Sequence, residues 1–269
     1  MSTDVLLSIS GLYKAFGGVA ATNQVTLDIL DREVHAIIGP NGAGKTTLVS
    51  QLTGVLMPDA GQITFKGNDI TYMPAHRRPH LGMARSFQIT SIIHDMTVLE
   101  NVALAIQAKA GHSYRFWRSA DSDQNLTGPA MEALRGVGLE AQAMQIAGPL
   151  SHGEHRQLEM AMVMATAPVL VLLDEPTAGM GQEDSTRMIA ALQVLKGSCT
   201  IILVEHDMDA VFALADRITV LVEGRVIATG KPDAIRSDET VRQAYLGEEL
   251  EAVTDVPGSG SSGTVRHVC

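Results

Sequence analysis

The chain has 269 residues, of which 45% are hydrophobic and 19% charged, a composition typical of a globular protein large enough to bury its own core. A formal net charge of −10 and an aromatic content of 4% argue against nucleic acid as a partner. Two cysteines are too few for a disulfide framework and the N-terminus lacks the basic start of a secretory signal, so we expect a cytosolic protein. No apolar run approaches the roughly 20 residues that span a bilayer, so we expect that the chain does not itself cross the membrane.

Short strands are predicted across residues 5–38, and the last of them, Val34–Ile38, is apolar enough to be a buried strand. It leads directly into a glycine-rich segment, and a helix is predicted from Lys45 onward. The apolar face of that helix is predicted to comprise Leu48, Leu52 and Val55. Residues 58–61 predict a turn, and residues 62–66 alternate in the manner of an edge strand.

The pattern becomes helical between about residues 89 and 150. Thr97 and Glu100 have the spacing of a capping box, and the apolar residues after them continue at helical intervals. Residues 111–128 are polar and irregular, which predicts a surface loop, and a second short helix is predicted over residues 131–137. We interpret this region as a helical subdomain inserted in an α/β chain.

Strands and helices alternate again after residue 150. Buried strands are predicted at residues 169–173 and 200–204, and helices at residues 155–166, 182–196 and 207–215. A hairpin is predicted around Glu223 and Gly224. The sequence thus predicts one domain over residues 5–250, followed by a flexible tail at 251–269 that is rich in glycine and serine.

The glycine-rich segment has the spacing Gly-x4-Gly-Lys-Thr of a phosphate-binding loop. Glycines allow main-chain N–H groups to turn toward phosphate oxygens, and the helix that follows adds its positive end. Lys45 would bridge the terminal phosphates, and the Thr46 hydroxyl would bind Mg²⁺. A chance match is the alternative, but the strand before the loop and the helix after it favour the functional interpretation. The predicted ATP-binding residues here are Gly39, Pro40, Asn41, Gly42, Ala43, Gly44, Lys45, Thr46 and Thr47.

The predicted strand at residues 169–173 ends in two acids, Asp174 and Glu175. At the carboxyl edge of a parallel sheet, Asp174 would lie near the metal that Thr46 binds, and Glu175 would polarise the attacking water. The alternative is an ordinary strand end with two solvated acids. The phosphate-binding loop upstream favours the catalytic interpretation.

Ser151 and Glu154 form a second capping-box pattern, at the start of the helix predicted near residue 155. From these residues alone, a simple helix cap is the better interpretation. The alternative is that Ser151 and the open N–H groups of the helix start contact phosphate.

Together these stretches resemble the ATP-binding subunits of ABC transporters. Leu150 to Glu154 stands where that family has its signature Leu-Ser-Gly-Gly-Gln, from which His152 and Glu154 depart. The resemblance implies a P-loop α/β core with an antiparallel β subdomain and a helical subdomain. It also implies that two subunits close over two ATP molecules, with Ser151, Gly153 and Glu154 of one subunit touching the ATP of the other.

The resemblance assigns further roles to single residues. Gln88 would sense the metal and contact ATP, and His206 would contact the γ-phosphate. Phe16 would stack on adenine, with Tyr13 as the competing candidate. Residues 177–181 match the loop that crosses the dimer, although they lack its usual Ser-Ala-Leu-Asp form.

Four stretches of the sequence resemble one particular group within this family, namely residues 84–88, 96–101, 205–208 and 244–247. They resemble the ATPases of branched-chain amino acid importers and of their urea or amide relatives. The implied partners are a second ATPase subunit, identical or different, transmembrane permease subunits and, indirectly, a periplasmic solute-binding protein. The implied location is peripheral, on the cytoplasmic face of the inner membrane.

Two other classes compete with an importer subunit. A non-transport ABC ATPase of cluster assembly or repair would lack membrane subunits, but the long coiled-coil insertions or tandem cassettes of repair factors are absent from this sequence. A P-loop kinase or GTPase is the other alternative, but a guanine-specific Asn-Lys-x-Asp stretch is absent. The sequence does not name the transported solute.

Overall fold

The computed structural model describes residues 4–85, 92–109 and 124–246. Its first sheet has four antiparallel strands in the order β2-β1-β4-β5, with bounds Val5–Phe16 for β1, Val19–Leu30 for β2, Ala60–Phe65 for β4 and Asn68–Asp69 for β5. The short strands predicted at the start of the chain are longer in the structure, since β1 and β2 have 12 residues each and pair as one antiparallel hairpin. The prediction of an edge strand at 62–66 is also wrong, since β4 pairs with β1 on one side and β5 on the other.

A second sheet has six strands in the order β10-β9-β3-β8-β7-β6. Their bounds are Val34–Ile38 for β3, Met83–Arg85 for β6, Leu170–Asp174 for β7, Thr200–Val204 for β8, Arg217–Val222 for β9 and Arg225–Gly230 for β10. All but β10 run parallel. Every residue of β3 and β8 is buried, as expected for strands in the middle of a sheet, and this includes the polar residues His35 and Thr200. The segments after β3, β7 and β8 therefore emerge at one edge of this sheet.

Three helices pack together between β6 and β7, namely α2 at Val98–Lys109, α3 at Gln124–Gly136 and α4 at His152–Ala165. The capping box at the start of α2 is confirmed, because Glu100 N donates to Thr97 Oγ1 at 3.1 Å and Thr97 N to Glu100 Oε2 at 2.7 Å. The loop predicted at 111–128 is wrong for residues 124–128, which belong to α3. Leu126, Ala130 and Leu134 lie four residues apart and pack into the core, a stripe that the polar residues between them conceal.

The remaining helices are α1 at Lys45–Leu52, α5 at Gln182–Leu195, α6 at Met208–Leu214, α7 at Pro232–Ser237 and α8 at Glu239–Val241. Short 3₁₀ segments occupy Ala75–Leu81 and Glu140–Gln142, and a π-helical turn occupies Arg242–Leu246. The placement of Val55 on the buried face of α1 is wrong, because α1 ends at Leu52 and Val55 is 63% exposed. In the parts of the chain that are described, no helix has both the length and the apolar character needed to cross a bilayer.

Candidate functional site

The glycine-rich loop follows β3 at the centre of the six-stranded sheet, and two neighbouring strands confine it. A Cβ on Gly39 would lie 2.0 Å from the carbonyl oxygen of Leu221 in β9, and a Cβ on Gly44 would lie 2.0 Å from that of Ala21 in β2. Gly44 also has a φ of 97°, which a side chain would strain. The loop can therefore take this path only with glycine at both positions.

Lys45 reaches back across this loop from the first turn of α1. Its Nζ donates to the carbonyl oxygens of Gly39 at 2.6 Å and Pro40 at 3.0 Å, and the residue is 8% exposed. Burial lowers the pKa of Lys45, while the charges of Glu175 and Asp174 work against that shift. Around the ammonium group, Asn41, Gly42 and Thr46 are exposed, Pro40, Gly44 and Thr47 are half-buried, and Gly39 and Ala43 are buried.

The two acids lie at the end of β7, and their surroundings differ. The half-buried Asp174 accepts a hydrogen bond from Arg85 Nη2 at 3.2 Å. Glu175 is more exposed and has a φ of 50°, a left-handed conformation that costs a non-glycine residue about 1–3 kcal/mol. Its N–H donates to the Val204 carbonyl of β8 at 2.8 Å, so the strained turn is held by the neighbouring strand.

His206 lies in the segment that follows β8, next to the two acids at the end of β7. Its Nδ1 lies 4.0 Å from Glu175 Oε1 and 3.7 Å from Glu205 Oε2, and its side chain is 63% exposed. The structure thus brings the predicted residues Lys45, Asp174, Glu175 and His206 to one edge of the sheet, where an exposed imidazole and carboxylate face solvent beside a buried ammonium group.

Sequence analysis missed two residues at this edge, Arg85 and Glu205. Arg85 reaches Asp174 across 89 positions of sequence, because β6 and β7 pair in parallel. Glu205 is 1% exposed, and the one signal in the sequence was its place directly before His206.

Ser151 and Glu154 form the predicted capping box at the start of α4. Glu154 N donates to Ser151 Oγ at 3.2 Å, and Ser151 N donates to Glu154 Oε2 at 2.8 Å. That hydrogen bond from the Ser151 main chain is the leading cause of the lowered pKa of Glu154. Gly153 is buried against α5, where a Cβ would lie 2.4 Å from Asp184 Oδ2. The predicted cap Ser151 is confirmed, and α4 begins directly after it at His152, three residues before the predicted start at residue 155.

The other predicted site residues fall in different places. Phe16 is 54% exposed at the end of β1, and Lys14 Nζ lies 5.8 Å from the centre of its ring, whereas Tyr13 is half-buried. Gln88 lies outside the described residues. Thr46 and Asp174 offer a hydroxyl and a carboxylate, the hard oxygen ligands that Mg²⁺ prefers. Among the described residues, no group of three or more histidine, cysteine or acidic side chains is arranged to hold a metal ion by itself.

Comparison with known proteins gives this arrangement a family. A family model described as ABC transporter matches residues 22–178, more than half of the chain, and one described as branched-chain amino acid ATP-binding cassette transporter matches residues 225–251. The chain is 36% identical over 255 residues to the high-affinity branched-chain amino acid transport ATP-binding protein LivG of Salmonella typhimurium, covering 90% of this chain and 98% of LivG. It is also 36% identical over 253 residues to the corresponding protein BraF of Pseudomonas aeruginosa, with the same coverage.

Solved structures agree with these relatives. The fold matches the ADP conformation of MJ1267, an ATP-binding cassette of an ABC transporter, with a TM-score of 0.78 and 28% identity over 91% of this chain and 100% of that one. A nucleotide-free ATP-binding cassette from an ABC transporter matches with a TM-score of 0.76 and 28% identity, over 90% of this chain and 98% of that one. The P-loop α/β fold and the resemblance inferred from sequence are thereby confirmed, and the chain belongs to the ATP-binding cassettes of the ABC transporter family.

Proposed function

We propose that this chain is the ATP-hydrolysing subunit of an importer for branched-chain amino acids, or for related small polar solutes such as urea and amides. The solute class is supported by the names of LivG and BraF and by the family model at residues 225–251. The observation that carries the activity is the meeting of Lys45, Asp174, Glu175 and His206 at the carboxyl edge of the parallel sheet.

The proposed chemistry begins at the loop after β3. Main-chain N–H groups of residues 39–46 and the N-terminus of α1 would receive the phosphates of ATP, while Lys45 exchanges its carbonyl partners for phosphate oxygens. Glu175 would orient the attacking water and draw its proton, and His206 would contact the terminal phosphate. Phe16 or Tyr13 would stack on adenine. Mg²⁺, held by Thr46, Asp174 and Gln88, would neutralise charge on the phosphates.

A second ATPase subunit would complete the site. Ser151 is exposed at the N-terminus of α4, so its hydroxyl and the free N–H groups of that helix start can meet a phosphate from outside the subunit. Glu154 fixes the shape of this helix start through its bond to Ser151, and Gly153 leaves room there for the Asp184 carboxylate. Residues 177–181 would lie against the partner subunit. Permease subunits would hold the dimer at the cytoplasmic face of the inner membrane, and a periplasmic solute-binding protein would deliver the solute to them.

Replacing Glu175 with glutamine tests the catalytic assignment. The amide cannot take a proton from water, so Glu175→Gln is expected to bind ATP normally and to lower turnover by about 100-fold or more. The matched control is Glu183→Gln, since Glu183 is an 82% exposed acid on α5, and its turnover is expected to stay unchanged. Near-normal turnover by Glu175→Gln would refute the assignment.

Purification from membranes tests the transport role. The full chain is expected to copurify with integral membrane proteins and to hydrolyse ATP in preference to GTP. Cells that carry the Glu175→Gln variant are expected to lose the uptake of labelled leucine or urea. Copurification with soluble proteins alone would favour a non-transport ABC ATPase, and a preference for GTP would favour a different P-loop class.

A further inference from the structure

Glu205 is a buried acid at the catalytic edge of the sheet to which neither the family resemblance nor the proposed mechanism gives a role. It directly follows β8 and is 1% exposed. A buried carboxylate is unfavourable unless hydrogen-bond donors surround it, so its partners show what holds it there.

The donors to Glu205 come from two different loops. Its Oε1 accepts hydrogen bonds from the N–H of Thr177, at 3.0 Å, and from the hydroxyl of Thr177. Its Oε2 accepts from the N–H of His206 at 3.1 Å and, more weakly, from the N–H of Asp207 at 3.5 Å. One carboxylate therefore joins the start of the loop at 177–181 to the main chain that carries His206.

This link also acts on Glu175, which stands two residues before Thr177. In the parallel register of β7 and β8, Asp174 pairs with Val204, so Glu175 and Glu205 each lie one residue beyond the last pair. The strained turn at Glu175 is held on one side by the Val204 carbonyl and on the other by Thr177, through Glu205. The Glu205 carboxylate thus lies between the main chain that follows Glu175 and the main chain of His206, and Glu175 Oε1 and His206 Nδ1 are 4.0 Å apart.

A neutral side chain of the same size could not replace this carboxylate. Glutamine has one acceptor oxygen, and its amide nitrogen would face N–H donors of either Thr177 or His206. One of the two loops would then lose its anchor.

A buried acid that serves stability alone can lie away from the catalytic edge, as Glu33 does at the opposite end of the sheet. Its carboxylate accepts from Leu30 N at 2.8 Å and from Arg217 Nη1 at 3.4 Å, and it contacts His35 Nδ1 at 3.0 Å. Glu33 therefore has long-range partners too, but none of them belongs to the predicted catalytic site.

We propose that Glu205 is a positioning residue that holds Glu175, His206 and the start of the loop at 177–181 in one geometry. The proposal rests on the proposed function for the roles of Glu175 and His206. The hydrogen bonds that carry it are present in the single chain.

The first experiment separates positioning from folding by comparing Glu205→Gln with the control Glu33→Gln in the full chain. We expect Glu205→Gln to lower kcat for MgATP at least about 10-fold, with the Kd for ATP changed less than about twofold, because misplacement of reacting groups acts on the chemical step. Both variants are expected to lower Tm, but Glu33→Gln is expected to keep its kcat. An unchanged kcat for Glu205→Gln, or a loss that lies in Kd alone, overturns the proposal.

A second pair of variants keeps the test valid if Glu205→Gln does not fold. Thr177→Ser retains both donors to Glu205, whereas Thr177→Val keeps the shape of the side chain and removes the hydroxyl donor. We expect Thr177→Ser to retain most of the turnover and Thr177→Val to lose several-fold of it, at equal Kd for ATP. Equal turnover in the two variants overturns the proposal.

Hydrogen exchange in the nucleotide-free protein gives a readout that does not depend on ATP hydrolysis. Peptides covering residues 176–181 and 205–208 are expected to exchange faster in the Glu205→Gln chain, or in the Thr177→Val chain if the former does not fold, than in the unmodified protein. Unchanged exchange in both peptides overturns the proposed link. Normal turnover by Glu175→Gln would instead refute the proposed function, so the two failures are distinguishable.

Discussion

Arg78 offers the sharpest test of what holds the phosphate-binding region together. It is 2% exposed and donates to five main-chain oxygens. These belong to Gln51 and Leu52 at the end of α1, to Ile70 and Thr71 after β5, and to Met73. The guanidinium group therefore ties the helix that begins in the phosphate-binding loop to the chain leading into β6. Burial lowers the pKa of Arg78 to about 10, which leaves it charged at neutral pH.

The magnitude of its contribution follows from these bonds. At about 1.5 kcal/mol for each hydrogen bond to a charged group, the five bonds contribute about 7 kcal/mol. Methionine at this position would no longer bury a charge, which offsets several kcal/mol of that loss. We therefore expect Arg78→Met to lower the free energy of unfolding by about 3 kcal/mol. Lysine keeps a buried charge but lacks the forked donors, so Arg78→Lys is expected to destabilise at least as much, by about 4 kcal/mol.

Urea unfolding of the full chain, followed by circular dichroism, measures both losses. The control is Arg77→Met, because Arg77 is the exposed neighbour and its replacement is expected to change the free energy of unfolding by less than about 0.5 kcal/mol. A loss below about 1 kcal/mol for Arg78→Met, or a lysine variant clearly more stable than the methionine variant, would refute the account of Arg78 as a forked anchor of α1.

Two further predictions concern the loop and the pH dependence of stability. Gly44→Ala is expected to weaken ATP binding about tenfold or more, because its Cβ would lie 2.0 Å from the Ala21 carbonyl. The control Gly42→Ala, whose Cβ meets no atom within 4 Å, is expected to lose less affinity for ATP. Equal Kd values for ATP in the two variants would contradict this prediction. Burial lowers the pKa of His35 from 6.5, so on acidification the unfolded chain binds a proton that the folded chain does not. The free energy of unfolding should therefore fall as the pH drops below about 6.5, by up to about 1.4 kcal/mol per pH unit from this group. Urea unfolding at pH 7.5, 6.5 and 5.5 should show that the free energy of unfolding depends less steeply on pH in His35→Gln than in the unmodified protein. An identical pH dependence in the two proteins would count against a neutral His35.

The sequence alone located the phosphate-binding loop, the two acids at the end of β7 and the capping box at Ser151, because each depends on neighbours within a few residues. A buried strand, a glycine pattern and a helix start are all local features of the chain. The same locality explains the errors, since the polar residues of α3 conceal its apolar stripe and the end of α1 at Leu52 leaves Val55 outside the helix. The division into a domain at 5–250 with a helical insertion and a tail stays a prediction.

Tertiary structure alone decided how the pieces of the site are held. Arg85 reaches Asp174 and Glu205 reaches Thr177 across 89 and 28 positions of sequence, and no local pattern encodes either contact. They arise from the parallel register of β6, β7 and β8, which sets the carboxyl ends of the three strands side by side. The chemistry of each residue can be inferred from its own short motif, but its partners depend on which strand lies next to it.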